Sequence, residues 1–293
     1  MDIKRLRILR EFADRGSVGA VAGALHMTPS AVSQQLKVLA KEAGVDVLEQ
    51  DGRRIRLTAA GRALVLRADD VIAAVERAQE EMASYRTGNA VVRLAMFPSG
   101  AALLLPQVLT TATTAGVDIR ASHLDVGYAD APPALADHDI VVTHRDERTA
   151  PVSLPRVQVT ELMREPLDVV VSPTSGLAGR DTVSVAELAD CDWISVEGGF
   201  PVDDVLLSIS AVTGVAPRVT QRMLDFTTIE ALVAADHGIA LMPRFAVRHP
   251  GVKRLELKGV RAARVYEALA RPRTRSAVGR VVAALVAASR QAQ

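Results

Sequence analysis

Residues 17–39, SVGAVAGALHMTPSAVSQQLKVL, constrain the fold more than any other stretch of this 293-residue chain. Ser17 and Thr28 have short side chains of the kind that cap a helix start. Pro29 follows Thr28 at the one helical position where its missing N–H is not needed. Two short helices are therefore expected, separated only by His26 and Met27. Val21, Ala22 and Leu25 form the apolar side of the first, and Val32, Leu36 and Leu39 stack at i, i+4 and i+7 on the second. Ser30, Ser33, Gln34 and Lys37 are left facing outward. Such a helix suits a DNA major groove: its amide and hydroxyls meet base edges, while Lys37 and the N-terminus at Thr28-Pro29 meet phosphate oxygens. A helical hairpin with a solvated polar face satisfies the same residues.

The flanking sequence supplies what such a module needs. Ile3, Leu6, Leu9, Phe12 and Ala13 recur at helical spacing and predict a helix over residues 2–15 on which the pair can pack. Gly44 supplies the left-handed stop after the second helix. VDVLEQ and RRIRL then flank Asp51-Gly52, a two-residue hairpin signal, so a β-wing is expected. Arg53, Arg54 and Arg56 on its returning strand suit phosphate or minor-groove contact, or are simply solvated strand charges. Thr58 caps a helix expected to reach about Arg86, a length of roughly 43 Å. In it Leu57, Leu64, Ala68, Val71, Val75, Ala78, Met82 and Tyr85 follow a heptad rhythm, with Gly61 in one slot. That seam favours pairing with a second copy over packing on its own chain, because a two-fold DNA-binding dimer needs its heads held at a fixed spacing. Thr87-Gly88-Asn89 closes the helix as a hinge.

From Val91 the pattern changes to strands alternating with helices, the signature of an α/β domain with mostly parallel sheets. The expected strands are VVRLAMF, DIRASHLDV, HDIVVTH, PLDVVVS, WISVE, RVTQRM and GIALMP. Pro98-Ser99-Gly100 reads as a turn, followed by a helix over 101–113 that Pro106 bends or restarts. Further helical stretches are expected near 184–190, 202–213 and 227–236. Ligands of open α/β sheets sit beyond the carboxyl ends of strands. The candidate ligand-lining residues are therefore Ser99, Gly100, Thr143, His144, Arg145, Phe200, Phe226 and Thr227, with Gly198-Gly199 a weaker anion-binding signal. An acid group on Ser99 at a helix N-terminus, with Arg145 as counter-charge, is the simplest arrangement.

Composition excludes several classes. No apolar run approaches the ~20 residues of a membrane span, and Asp2, Glu11 and Asp14 interrupt any signal-peptide pattern, so a cytoplasmic, nucleoid-associated protein is expected. Cys191 is the single cysteine, which rules out an intramolecular disulfide and fits a small buried hydrophobe. The six histidines lack metal-ligand spacing, and no nucleophile elbow, zinc-protease pair, Walker loop or Rossmann glycine pattern occurs. No catalytic residue, cofactor or metal is expected. The net charge of +1 decides nothing about a polyanionic partner, since local charge governs that.

Phe12, Gly16-Ser17, Ala22, Leu25, TPSAVSQQLKVL, Gly44 and GRRIRLTAAGRAL, with IEALVAADHGIALMP (229–243) far downstream, resemble the LysR-type transcriptional regulators over essentially the whole chain. The resemblance implies an N-terminal winged helix-turn-helix over 1–58, a dimerising linker helix over 59–88 and a periplasmic-binding-protein-like effector domain over 91–293. That domain would comprise two α/β subdomains, I (91–160 and 265–293) and II (161–264), with crossings near Thr160-Glu161 and Val265. It further implies double-stranded DNA as partner, a small-molecule effector such as an amino or organic acid in the interdomain cleft, and a homodimer that assembles into a homotetramer. An architectural DNA-binding protein without a ligand is the alternative, but it leaves some 200 α/β residues without a task. Ala40, Leu48 and Gln50 depart from the family's usual Glu, Phe and Arg. Gly19 and Gly23 soften the first helix of the motif by about 1 kcal/mol each relative to alanine.

Overall fold

The structure is a computed structural model that describes residues 1–52, 54–87 and 90–293, with the backbone alone for 83–87. Its head consists of α1 (Ile3–Arg15), α2 (Val18–Ala24) and α3 (Pro29–Ala43). The caps are those the residue types require. Ser17 Oγ accepts from Ala20 N at 3.2 Å and Thr28 Oγ1 from Ala31 N at 3.2 Å. Gly16 and Gly44 take left-handed backbone, φ 72° and 71°, to end α1 and α3. Leu6, Leu9 and Phe12 meet Val21, Ala22, Val32, Leu36 and Leu39 in one apolar core.

The wing is an antiparallel pair, β1 (Leu48–Asp51) and β2 (Arg54–Leu57). Asp51 lies opposite Arg54, so it belongs to the ladder and the turn is not centred on Asp51-Gly52. Arg53, Gly88 and Asn89 lie outside the described residues, as does the Tyr85 side chain. The linker helix α4 spans Ala59–Thr87, and Thr58 Oγ1 caps it by accepting from Gly61 N at 2.9 Å.

The seam read along α4 is only partly free for a partner. Ala68 is fully buried in the head core beside Val65 and Ile72, and Leu64 packs against the same core. Gly61 is where the helix crosses the segment just before the wing: a Cβ there would stand 2.1 Å from Val47 O. The first half of α4 is thus part of the head, and Ile72, absent from the seam, is one of its core residues. Val71, Ala78 and Met82 lie exposed farther along.

Beyond residue 90, two lobes share one mixed sheet ordered β4-β3-β5-β12-β6-β10-β8-β9. Lobe I holds β3 (Ala90–Met96), α5 (Pro98–Thr114), β4 (Val117–His123) and β5 (Ile140–Asp146). The long β6 (Gln158–Val171) leads to lobe II, with β7 (Thr182–Ser184), β8 (Asp192–Ser195), α6 (Pro201–Thr213), β9 (Arg218–Arg222), α7 (Phe226–Ala234), β10 (Ile239–Pro243) and β11 (Lys253–Lys258). β12 (Ala263–Ala270) returns to lobe I, and α8 (Ser276–Ala292) packs there against α5. β6 pairs with β12 as far as Pro166 and with β10 and β11 from Leu167 onward. The change of lobe therefore falls near 166–167 and 262–263, a few residues from the expected 160–161 and 265. β6 and β12 pass directly between lobes and lie antiparallel to their neighbours, so the sheet is mixed, while β3 with β4 and β5, and β8 with β9 and β10, pair in parallel as expected.

Three local expectations change. Pro98-Ser99-Gly100 is the first turn of α5, with Phe97 as extended N-cap, and the helix continues unbroken past Pro106. The helix near 184–190 is a short 3₁₀ turn, Val185–Leu188, closed by a Ser184/Glu187 capping box. Each lobe has its own core: Val92, Leu94, Leu104, Ile140, Val281 and Leu285 in I, and Val169, Trp193, Val205, Ile229, Val233 and Leu241 in II. Ile72→Ala should destabilise the head by about 3 kcal/mol through its cavity, and Gly61→Ala should destabilise it through the clash with Val47. Urea unfolding of the full chain checks this, and a role for α4 in dimerisation alone would leave the head transition in place.

Candidate functional site

On the DNA-reading side, α3 presents Ser30, Gln34 and Lys37 to solvent, with Ser33 half-buried on the same outer side. The Thr28 hydroxyl caps the helix and lies 3.0 Å from Ser30 Oγ, so these two side chains begin the row while Pro29 occupies its first turn. On the wing, Arg56 is held by Glu49 at 2.9 Å and by Asp51 at 3.7 Å. Arg54 has no acidic partner among the described residues.

The second site lies between the lobes and is built around Arg264. This side chain is buried at 1% exposure and stands directly across the β12–β6 ladder from Glu165, itself fully buried. Arg264 Nε donates to Glu165 Oε2 at 2.8 Å, and Nη2 donates to Tyr266 OH at 2.7 Å and to Ser99 Oγ at 3.0 Å. Tyr266 OH donates to Glu165 Oε2 at 2.6 Å, and Phe245 N to Oε1 at 2.7 Å. The guanidinium carbon lies 4.9, 5.1 and 5.8 Å from the ring centroids of Tyr266, Phe97 and Phe226, within cation–π range. Four of the chain's nine aromatic side chains, Phe97, Phe200, Phe226 and Tyr266, gather here.

His144 completes the group, edge-on to Phe97 with ring centroids 4.3 Å apart and 6.3 Å from the ring of Phe200 in lobe II. Burial, helped by the charge of Arg264 and opposed by Asp125, pushes its pKa below the ordinary histidine value and keeps it neutral. Among the described residues its Nδ1 has no hydrogen-bond partner, and neither have Asp125 Oδ1 or Ser195 Oγ at the carboxyl end of β8. His144 Nε2 and Asp125 Oδ1 stand 3.9 Å apart, too far for a hydrogen bond. Burial also pushes the Tyr266 hydroxyl well above the usual tyrosine range, so it remains a donor.

Of the expected effector residues, the structure brings Ser99, His144, Phe200 and Phe226 together. Gly100 lies behind them in the first turn of α5, where a Cβ would stand 2.5 Å from the Phe97 ring. Arg145 does not reach the cleft. Strand alternation sends it to the opposite face of β5 from His144, together with Thr143. There its Nε donates to Glu267 Oε1 at 2.7 Å and its Nη1 to Thr149 O at 2.8 Å. Thr227 is exposed on α7, with its N–H bonded to Asp225 Oδ1 at 3.2 Å. The residues not anticipated are Phe97, Glu165, Arg264 and Tyr266. Arg264 and Tyr266, two apart in the apolar run ARVYEALA, were the available signal: one face of a buried strand carrying two polar groups.

A winged helix-turn-helix, a long helix and a two-lobed effector-binding domain in one chain define a DNA-binding transcription regulator, not an enzyme. The chain belongs to the LysR family: residues 3–62 match the bacterial regulatory helix-turn-helix protein model of that family, and residues 86–291 match the LysR substrate binding domain. It is 25% identical over 260 residues to the transcriptional dual regulator GltC of Bacillus subtilis, covering 85% of this chain and 86% of that protein. It is 26% identical over 255 residues to the dual regulator OxyR of Escherichia coli strain K12, covering 84% and 80%. In fold it is similar to a full-length OxyR variant from Pseudomonas aeruginosa, with a TM-score of 0.66 at 18% identity over 99% and 98% of the two chains. It is likewise similar to CbnR solved with its target DNA, with a TM-score of 0.56 at 20% identity over 99% and 100%.

Arg264→Met should destabilise the effector domain by about 3–5 kcal/mol by stranding the Glu165 carboxylate, and adding Glu165→Gln should recover part of that loss. Urea unfolding of the two variants checks this. His144 gives a pH signature. Its folded pKa lies below the ordinary 6.5, so the unfolded chain binds the extra proton first and stability falls as pH drops below about 6.5. Comparing unfolding at pH 7.5 and 5.5, wild type should lose more stability than His144→Gln.

Proposed function

We propose that this regulator binds double-stranded DNA in a sequence-specific manner through Thr28, Pro29, Ser30, Ser33, Gln34 and Lys37, with Arg53 and Arg54 of the wing on the phosphate backbone. The effector is a small organic or amino acid with an apolar or aromatic body, taken into the cleft between the lobes. The observation that carries this reading is Arg264, buried among aromatic rings and bonded to Ser99 at the start of α5. A ligand carboxylate meets that helix N-terminus and the edge of the guanidinium, while its body lies among Phe97, Phe200 and Phe226. The unpartnered His144 Nδ1 and Ser195 Oγ supply polar contacts that an apolar filler would leave unmet. Arg264 thus takes the role first expected of Arg145.

Assembly follows from what stays exposed. Val71, exposed beside the head-core residues Ala68 and Ile72, and Met82 farther along α4, at 45% and 58% exposure, share one helical face and form the dimer seam. Leu207, Val212 and Val215, exposed apolar side chains on and just after α6, offer further contacts for a pair of dimers. A peroxide response, as in the names of several relatives, finds no support in this chain. Cys191 has no second cysteine to pair with, and burial beside Asp190 and Asp192 raises its thiol pKa.

DNA protection upstream of the protein's own gene, with thermal-shift screening of organic and amino acids, tests the reading. Gln34→Ala should change sequence preference, whereas Arg54→Ala should weaken all DNA alike. An active acid should raise the melting temperature of wild type and do so less for Ser99→Ala. Equal shifts would remove Ser99 from the site, and a footprint indifferent to every acid would favour an architectural role. Val71→Glu with Met82→Glu should lower the sedimenting mass.

A further inference from the structure

The head does not hang free of the effector domain. Arg156, in the segment between β5 and β6, donates from Nη1 to Asp14 Oδ1 at 2.8 Å and from Nη2 to Asp69 Oδ1 at 3.1 Å. Asp14 closes α1 and Asp69 lies on the head-bound half of α4. Arg271, just after β12, joins the same two carboxylates: it bonds Asp14 and stands 3.9 Å from Asp69, and its Nη2 also donates to Leu135 O at 3.2 Å. All four side chains are mostly buried. Beside them the contact opens to solvent: a groove of about 380 Å³ runs between Val65 and Leu66 of α4 and Pro133, Leu135, Leu154 and Pro155 of lobe I. A permanent core packs to crystal-like density, whereas a contact made by charges beside a solvent-open groove can separate.

The segment carrying Arg156 is anchored to the reverse side of the effector cleft. Tyr128 OH donates to Glu267 and accepts from Val152 N at 2.8 Å, while Arg145 bonds both Glu267 and Thr149 O. Arg145 and Glu267 are the immediate chain neighbours of His144 and Tyr266, which face the cleft. A movement of either strand that accommodates a ligand on one face must move the anchor of residues 147–157 on the other.

We infer that Asp14, Asp69, Arg156 and Arg271 form a releasable clamp holding the DNA-reading head against lobe I, and that Tyr128, Arg145 and Glu267 relay the state of the cleft to it. The trigger rests on the effector reading above; the clamp itself does not.

Hydrogen exchange read by mass spectrometry on the full-length protein, without DNA or ligand, tests both parts. Arg156→Ala should speed exchange about tenfold in the last turn of α1 and at 132–136, with β3 and β5 unchanged, and Arg156→Lys should fall between it and wild type. Tyr128→Phe should loosen 147–157 and, through that segment, the same α1 peptides. Wild-type rates at α1 and 132–136 in Arg156→Ala would overturn the clamp. Loosening of 147–157 alone in Tyr128→Phe would overturn the relay. Faster exchange in β3 and β5 as well would mean that the contact belongs to the fold and does not release. Since no readout uses DNA or effector, the clamp and the regulatory reading can fail separately.

Discussion

The ion pair between Arg264 and Glu165 is the interaction on which the effector domain turns. Neither side chain reaches water, and burying two charges is costly unless the geometry is good and the remaining polar atoms are satisfied. Here the geometry is set by strand register, because the two residues face each other across β12 and β6. Tyr266, Ser99 and the N–H of Phe245 bond further atoms of the pair, through Arg264 Nη2 and both Glu165 oxygens. These are also the two strands that carry the chain between lobes. The pair therefore pins the crossing point and places a polar centre between two apolar cores, where a ligand reaching both lobes must meet it.

Strand alternation gives β5 and β12 two separate tasks. On one face, His144, Arg264 and Tyr266 line the cleft; on the other, Arg145 and Glu267 fasten the segment before β6. The two sides differ in solvation as well as direction. His144 is left with an unpartnered nitrogen, whereas Arg145 is saturated by Glu267, Thr149 and Glu161. An arginine already bound by protein acceptors has little left for a ligand, and this separates it from a neighbour only 3.8 Å away along the chain.

The head was almost wholly legible in the sequence because its determinants are local: caps at Ser17 and Thr28, glycine stops at Gly16 and Gly44, and 3.6-residue periodicity. The lobes are legible as alternating strands and helices, but β7, β11, β12 and α8 carry no clear local signature, and β6 carries one only from Pro166. The reason is physical. KRLELK, ARVYEALA and the first half of β6 acquire their roles from non-local pairing, and a charged residue such as Glu165 or Arg264 inside a strand looks exposed until its partner, 99 residues away, is known. Arg145 misled for the converse reason: its position after HDIVVTH suggested a strand end, yet the strand continues to Asp146 and its face is set by register. In α4 the heptad spacing was real, but spacing alone cannot say whether an apolar stripe meets another chain or its own.

That division along α4 explains the character of the contact between head and effector domain. A helix has one circumference, and over its first half the apolar arc is spent on the head core through Gly61, Val65, Ala68 and Ile72. What remains toward lobe I is largely acidic: Asp69 and Asp70, then Glu80, which accepts from Ser276 N and Ala277 N at the start of α8. Lobe I answers with Arg156, Arg271, Arg273 and Arg280, while Arg15 with Asp137 reverses the sign. Charge contacts of this kind fix orientation strongly while adding little net stability, and salt screens their exposed members. A linker that must hold a head in register and still let it reorient is therefore better served by this acidic arc than by a continuation of its apolar stripe.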